Sequence, residues 1–310
     1  MKKETIVLII LIVCLSGYLF FKTDNRDNYT LPEIAEITPK NISSILIEQQ
    51  QDTVLLKQND SSWTVSEKEY PADISMVEVL LETVKNLKLS ALVSQSQDFR
   101  RYKLDKDNRI RVTVFEAGKE TLKFNIGKEA PTGNHTFTMV GDDTAVYHAD
   151  GNFRLDFDQT ADAFRDKMIL KVNKPAVKGF TVTQKEKTLT VRAEKPSGSE
   201  DDQTVWTSAD GSQQDSAAIS NFLSSISFLR CDGYRDDKSK QDAEGKKAVF
   251  TIDIDADQKI SLKLFKFYDS EKIFGISSLN DYVFRISEFD YKEILKNIDQ
   301  LFGTEPEKNN

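Results

Sequence analysis

Residues 42–150 and 177–285 read as two copies of one unit, and no other feature limits the fold of the chain as much. Ile42, Ile45, Ile47, Val54 and Leu56 recur as Val177, Phe180, Val182, Leu189 and Val191, each displaced by 135 positions. A helical stripe of Val77, Leu80, Leu81, Val84 and Leu87 recurs 142 positions later as Ile219, Phe222, Leu223, Ile226 and Leu229. A self-similar period of this kind decides the architecture before any motif does. The offset shifts where loops should differ and stays constant inside strands and the helix. The largest shift is an insertion around Lys195–Asp202, which includes Pro196, Ser197, Gly198 and Ser199.

Within each copy the pattern is strand, strand, strand, helix, then more strands. Alternation predicts strands at Ile42–Ile47 and Asp52–Gln58, with Trp63-Thr64-Val65 as a third. Asp73 and Asp215 stand where helix N-caps belong, and the apolar spacing predicts a helix over Ile74–Leu89 with Ile74 on its inner face. Ile110, Val112 and Val114 pair in pattern with Leu122, Phe124 and Ile126, and reappear as Phe250, Ile252, Ile254 with Ile260, Leu262, Leu264. Phe137–Val140 and Ala145–His148 form a hairpin around Gly141-Asp142-Asp143. Ala161–Leu170 reads as a short helix, and Ser287-Glu288-Phe289-Asp290 opens a final helix through Phe302, with Phe289, Ile294, Ile298 and Leu301 inward. The expected fold class is α+β: a tandem duplication of an antiparallel-sheet-plus-helix unit, preceded by one N-terminal transmembrane helix.

The transmembrane expectation rests on the run from Ile6 to Phe21, which is uncharged and lies between Lys2-Lys3 and Lys22. As a helix it rises roughly 24 Å, short of the ~30 Å hydrocarbon layer, but the flanking lysines can snorkel. A cleaved signal peptide competes through Cys14 and Ser16, yet would leave the apolar stub Tyr18-Leu19-Phe20-Phe21. Lipoprotein processing at Cys14 wants small residues where Leu11-Ile12-Val13 stand. We read an uncleaved anchor over 1–22 and a polar stalk over 23–40. The first unit follows over 41–170, the second over 171–302, and a polar tail over 303–310. Lys2 and Lys3 keep the N-terminus cytoplasmic and place the body outside an inner (cell) membrane. The bilayer is therefore one expected partner, through the N-terminal helix.

Chemistry is harder to find. A net charge of −8 speaks against a nucleic-acid partner. His135 and His148 are the only histidines, one in a polar turn and one in a strand, so a catalytic or metal pair has little to build on. Asp253, Asp255 and Asp257 imitate the start of a calcium loop, but Gln258 and Leu264 stand where glycine and a bidentate glutamate belong. Those aspartates read instead as the wet side of a strand. Asp142-Asp143 and Asp236-Asp237 read as solvated turns, and Cys231 as a small apolar residue. We expect no enzymatic activity, no metal and no cofactor.

Trp63-Thr64-Val65, Pro71-Ala72-Asp73, Tyr102-Lys103-Leu104 and Phe164-Arg165-Asp166-Lys167 together resemble the bacterial family catalogued as domain of unknown function 4340. That family commonly carries glycine between the tyrosine and leucine, where this chain has Lys103. The resemblance covers most of residues 40–302 and the preceding anchor. It implies an envelope protein working beside transporters of the ATP-binding-cassette type, and it brings no catalytic residues. Phe164, Arg165 and Asp166 are its candidate partner-binding residues; a packing role at the junction between units competes. The expected function is extracytoplasmic binding or scaffolding, accessory to an envelope complex. A module binding cell-wall or lipid material in a cleft between units is the alternative.

Overall fold

The computed structural model describes residues 12, 16–17, 29–60, 62–194, 204–267 and 270–303. The anchor expected over 1–22 lies outside them apart from Ile12, Ser16 and Gly17, as do the loop at 195–203 and the tail from 304. Among the described residues, no helix is long and apolar enough to cross a membrane. The chain is sheet-rich with a few helices, an α+β protein, and it divides into two compact units at Arg165 and Asp166.

In the first unit, β1 (Ile42–Glu48), β2 (Thr53–Asn59), β3 (Ser62–Val65) and β4 (Tyr70–Pro71) form one side of a nine-stranded sheet. Next along the chain are helix α1 (Ile74–Lys85), β5 (Leu89–Ser94), β6 (Ile110–Glu116), β7 (Lys119–Glu129), β8 (His135–Val140) and β9 (Val146–Asp150). The spatial order is β4-β3-β2-β1-β6-β7-β8-β9-β5. Alternation sets the register. Ile45 lies opposite Leu56 and Val114, and Ile47 opposite Val54 and Val112, so one face is uniformly apolar and fully buried. Helix α1 covers that face with Val77, Leu80 and Val84. Each such side chain is worth about 1.5–3 kcal/mol when buried. Leu31, Ile34 and Ile37, within the stretch read as a stalk, also pack on this core.

The helix is shorter than its apolar spacing suggests. It stops at Lys85, with Asn86 as C-cap, and Leu89 begins the edge strand β5. Leu87 and Leu89 continue the apolar pattern because both are buried, but one does so past the helix end and the other from a strand. Ile74 is 49% exposed, so the inner face begins at Val77. The expected helix over Ala161–Leu170 is also replaced. A single turn, α2 (Arg154–Phe157), precedes it, residues 161–164 form turns, and Met168–Lys171 is a strand, β10. Backbone bonding explains the change: Arg165 bridges Ala72, and the Asp73 N–H donates to the Phe164 carbonyl at 2.8 Å, which holds this stretch extended.

The second unit is built from β11 (Gly179–Gln184), β12 (Lys187–Glu194), β13 (Val205–Ser208), helix α3 (Ser216–Ile226) and β14 (Phe228–Arg230). Then follow β15 (Gly233–Ser239), helix α4 (Lys240–Glu244), β16 (Ala248–Asp255), β17 (Lys259–Lys266), β18 (Ile273–Ser277), β19 (Tyr282–Arg285) and helix α5 (Glu288–Leu301). Its sheet runs β13-β12-β11-β16-β17-β18-β19-β15, while β10 and β14 pair apart as a ribbon. Phe180, Val182, Val191, Ile252 and Ile254 face α3 and α5 in one core. Ile294, Ile298 and Leu301 of α5 point inward as expected, but Phe289 is 75% exposed. It sits in the first turn, before the helix reaches the sheet. Asp236 and Asp237 lie within β15 rather than in a turn, which puts charge on an edge strand.

Helices α1 and α3 start alike. The Ser75 N–H donates to the Asp73 carboxylate at 3.1 Å, and the Ala217 N–H to the Asp215 carboxylate at 2.8 Å. Asp73→Ala and Asp215→Ala should each destabilise their unit by about 1 kcal/mol. Urea denaturation followed by a probe in each unit checks this, and Asn at either position should retain most of the stability.

Candidate functional site

Phe164-Arg165-Asp166-Lys167 divides between the units. Phe164 is fully buried in the first unit's core and Arg165 is 4% exposed. The Arg165 guanidinium lies 3.6 Å from the centre of the Tyr70 ring, and its Nη1 lies 3.8 Å from Asp162 Oδ1. The buried guanidinium is thus both stacked and ion-paired, beside the backbone bridge from Arg165 to Ala72. Asp166 belongs to the second unit. Its carboxylate accepts from the Met168 N–H at 2.9 Å, and its carbonyl accepts from the Tyr234 hydroxyl. The Cys231 N–H donates to the Lys167 carbonyl at 2.9 Å, with the Cys231 side chain buried. Phe164 and Arg165 therefore offer little side-chain surface, while half-buried Asp166 is engaged in its own unit.

Tyr102-Lys103-Leu104 occupies the sheet face opposite α1. A 3-10 turn, Phe99–Tyr102, ends at Lys103, whose φ of 54° is left-handed. A left-handed turn favours glycine, and lysine holds this one at a steric cost. Tyr102 and Leu104 pack with Ala130, Phe137, Met139 and Val146 as a second, smaller core. Gly127 on β7, which sequence reasoning missed, permits that approach: a Cβ there would strike the Tyr102 carbonyl oxygen and come within 2.9 Å of Leu104 Cγ. Opposite effects are expected at the two positions. Gly127→Ala should destabilise the first unit by about 1–3 kcal/mol through overpacking, while Lys103→Gly should stabilise it by about 0.5–1 kcal/mol. Thermal unfolding of the two variants measures both.

The two histidines meet across the β8–β9 hairpin. Phe137 pairs with His148, and His135 with Asp150, so the imidazoles stack with centres 5.2 Å apart. His135 Nδ1 lies 3.0 Å from Thr132 Oγ1, and its Nε2 lies 3.6 Å from Asp150 Oδ1. Burial, and then the neighbouring His135, hold His148 below its ordinary pKa of 6.5. Within the same hairpin, the Tyr147 hydroxyl donates to Asp143 at 2.6 Å. Burial and that carboxylate push the tyrosine up to about 12, while the tyrosine's hydrogen bond lowers Asp143. No group of three or more His, Cys, Asp or Glu among the described residues could hold a metal ion. Asp253 and Asp255 alternate outward on β16, as solvated strand residues do.

The sign for His148 follows from linkage. A depressed folded pKa means that the unfolded chain takes up the proton first. Stability is therefore full above pH 6.5 and is lost as pH falls through the folded value. His148→Phe should flatten the dependence of first-unit stability on pH as pH falls below 6.5. Denaturation midpoints across that range, with NMR titration of the imidazole, check it.

The chain belongs to the family described as Domain of unknown function (DUF4340), whose model matches residues 63–249. The match begins at Trp63 in β3 and ends at Val249 in β16, so it takes in parts of both units. Comparison with curated proteins and with solved structures gives no match.

Proposed function

We propose that this chain is a single-pass membrane protein whose extracytoplasmic body, a tandem duplication, works without catalysis as a scaffold in an envelope complex such as an ABC-type transporter. The anchor reading is supported by the uncharged run Ile6–Phe21 between lysines. Support for duplication comes from the constant sequence offsets. It comes also from two strand orders that match position for position over eight strands, from β3-β2-β1-β6-β7-β8-β9-β5 to β13-β12-β11-β16-β17-β18-β19-β15. Helices α1 and α3 come at equivalent places in the chain, after the first group of strands in each unit, and both carry an aspartate N-cap.

The observation that carries the scaffold reading is the edge strand β5. Sheet edges are usually blunted, since their free N–H and C=O groups can pair with another chain. β4 is two residues long and contains Pro71, β13 is bridged by Gln213 at Thr207, and β15 carries Arg235, Asp236, Asp237 and Lys238. β5 reads Leu-Ser-Ala-Leu-Val-Ser, with no charge and no proline, and register shifts toward β9 are its only irregularity. A partner could add a strand there, with backbone hydrogen bonds supplying affinity.

A photo-crosslinking residue placed at Ser90 in intact cells should give adducts to other envelope proteins, identified by mass spectrometry. The same residue at Asp237 on β15 should give few. Crosslinks from Ser90 only to this chain, or equal yields from both positions, would overturn the scaffold reading.

A further inference from the structure

A cavity of about 550 Å³ opens in the second unit where the end of the β10–β14 ribbon meets the turn between β16 and β17. Its floor is apolar and buried: Val172, Ala256 and Ile260 are 3–6% exposed. Phe228 stands beside it at 66% exposure, a large ring left in solvent next to a concave apolar surface. The core does not need that ring. Its neighbour Leu229 is buried, as is Leu87 at the matching position 142 residues earlier, yet the residue before Leu87 is the polar Asn86. A phenyl group two-thirds exposed here adds little to the core.

The rim supplies charge. Lys171 places its ammonium 5.8 Å from the centre of the Phe228 ring and has no ion pair among the described residues. Lys174 reaches Ser224 Oγ at 3.1 Å and also has no carboxylate partner there. Asp257 is the opposing charge on the lining, and Asn173 and Gln258 add amides. Two ammonium groups against one carboxylate leave the rim positive, in a chain whose formal net charge is −8.

We propose that this cavity binds an apolar carboxylate. The hydrocarbon or aryl body would lie on the Val172–Ile260 floor against Phe228, with the carboxylate between Lys171 and Lys174. Such a group is carried by a free fatty acid and by a peptide ending in an apolar residue, and both present the same chemistry to the site. The inference depends on neither the membrane anchor nor the β5 edge, so its failure would leave the scaffold reading intact.

Octanoate, N-acetylphenylalanine and octan-1-ol, each titrated into the full-length chain and followed by NMR, separate the alternatives. One or both carboxylates should saturate a single site, and the tighter of the two identifies the lipid or the peptide source. Phe228→Ala and the double variant Lys171→Gln/Lys174→Gln change exposed residues outside the core, and each should weaken binding about tenfold. Octan-1-ol, lacking the charge, should bind octanoate's site about tenfold more weakly. Absence of saturable binding, equal affinity for octanol and octanoate, or affinity unchanged in both variants would overturn the proposal.

Discussion

The structure depends on the same kind of packing in each unit: amphipathic helices laid against one face of an antiparallel sheet, α1 in the first and α3 with α5 in the second. Val77, Leu80 and Val84 do this for α1, and Ile219, Phe222, Leu223 and Ile226 for α3. Without that cover, the row from Leu56 through Ile45 to Val114, or from Val191 through Phe180 to Ile254, would face water. The aspartate caps set where α1 and α3 begin. The opposite face needs only partial cover, by Tyr102 and Leu104 in the first unit and by Ala243 of α4 in the second. Two small outer cores therefore sit behind two large inner ones.

This frame was legible because burial on one side imposes periods of two and 3.6 on the sequence. The strands with an alternating apolar row could be read, as could most of the inner stripes of α1, α3 and α5, with Ile74 and Phe289 as the exceptions. What escaped reading has a common cause. β5 follows α1 so closely that Leu87 and Leu89 extend the helical spacing, and only Asn86 marks the break. Met168–Leu170 looked helical because a short apolar run has no period of its own, and its strand is set by pairing with the distant Phe228–Arg230. Phe289 matched the helical stripe but falls in the first turn of α5, where the sheet does not reach.

Local chemistry was less legible than the frame. The hairpin turn at Gly141-Asp142-Asp143 was recognised, and its register brings His135 and His148 into contact, but hairpin register depends on details of the turn. Gly127 gave no signal, because a glycine within a strand announces close approach only when the approaching segment is known. Phe164, Arg165 and Asp166 stood out as residues for either partner binding or packing, and Phe164 fills the first unit's core while Arg165 stacks on Tyr70.

Against that background the edge strand β5 stands apart, since the other sheet edges are short, bridged or charged. If its backbone is the surface that joins a partner, its outward amides should change state on assembly. Hydrogen–deuterium exchange of Leu89–Ser94, compared between gently extracted membrane complexes and the isolated chain, tests this most directly. The account predicts strong slowing across β5 in the complex, with little change in β15. Equal exchange in the two samples would contradict it.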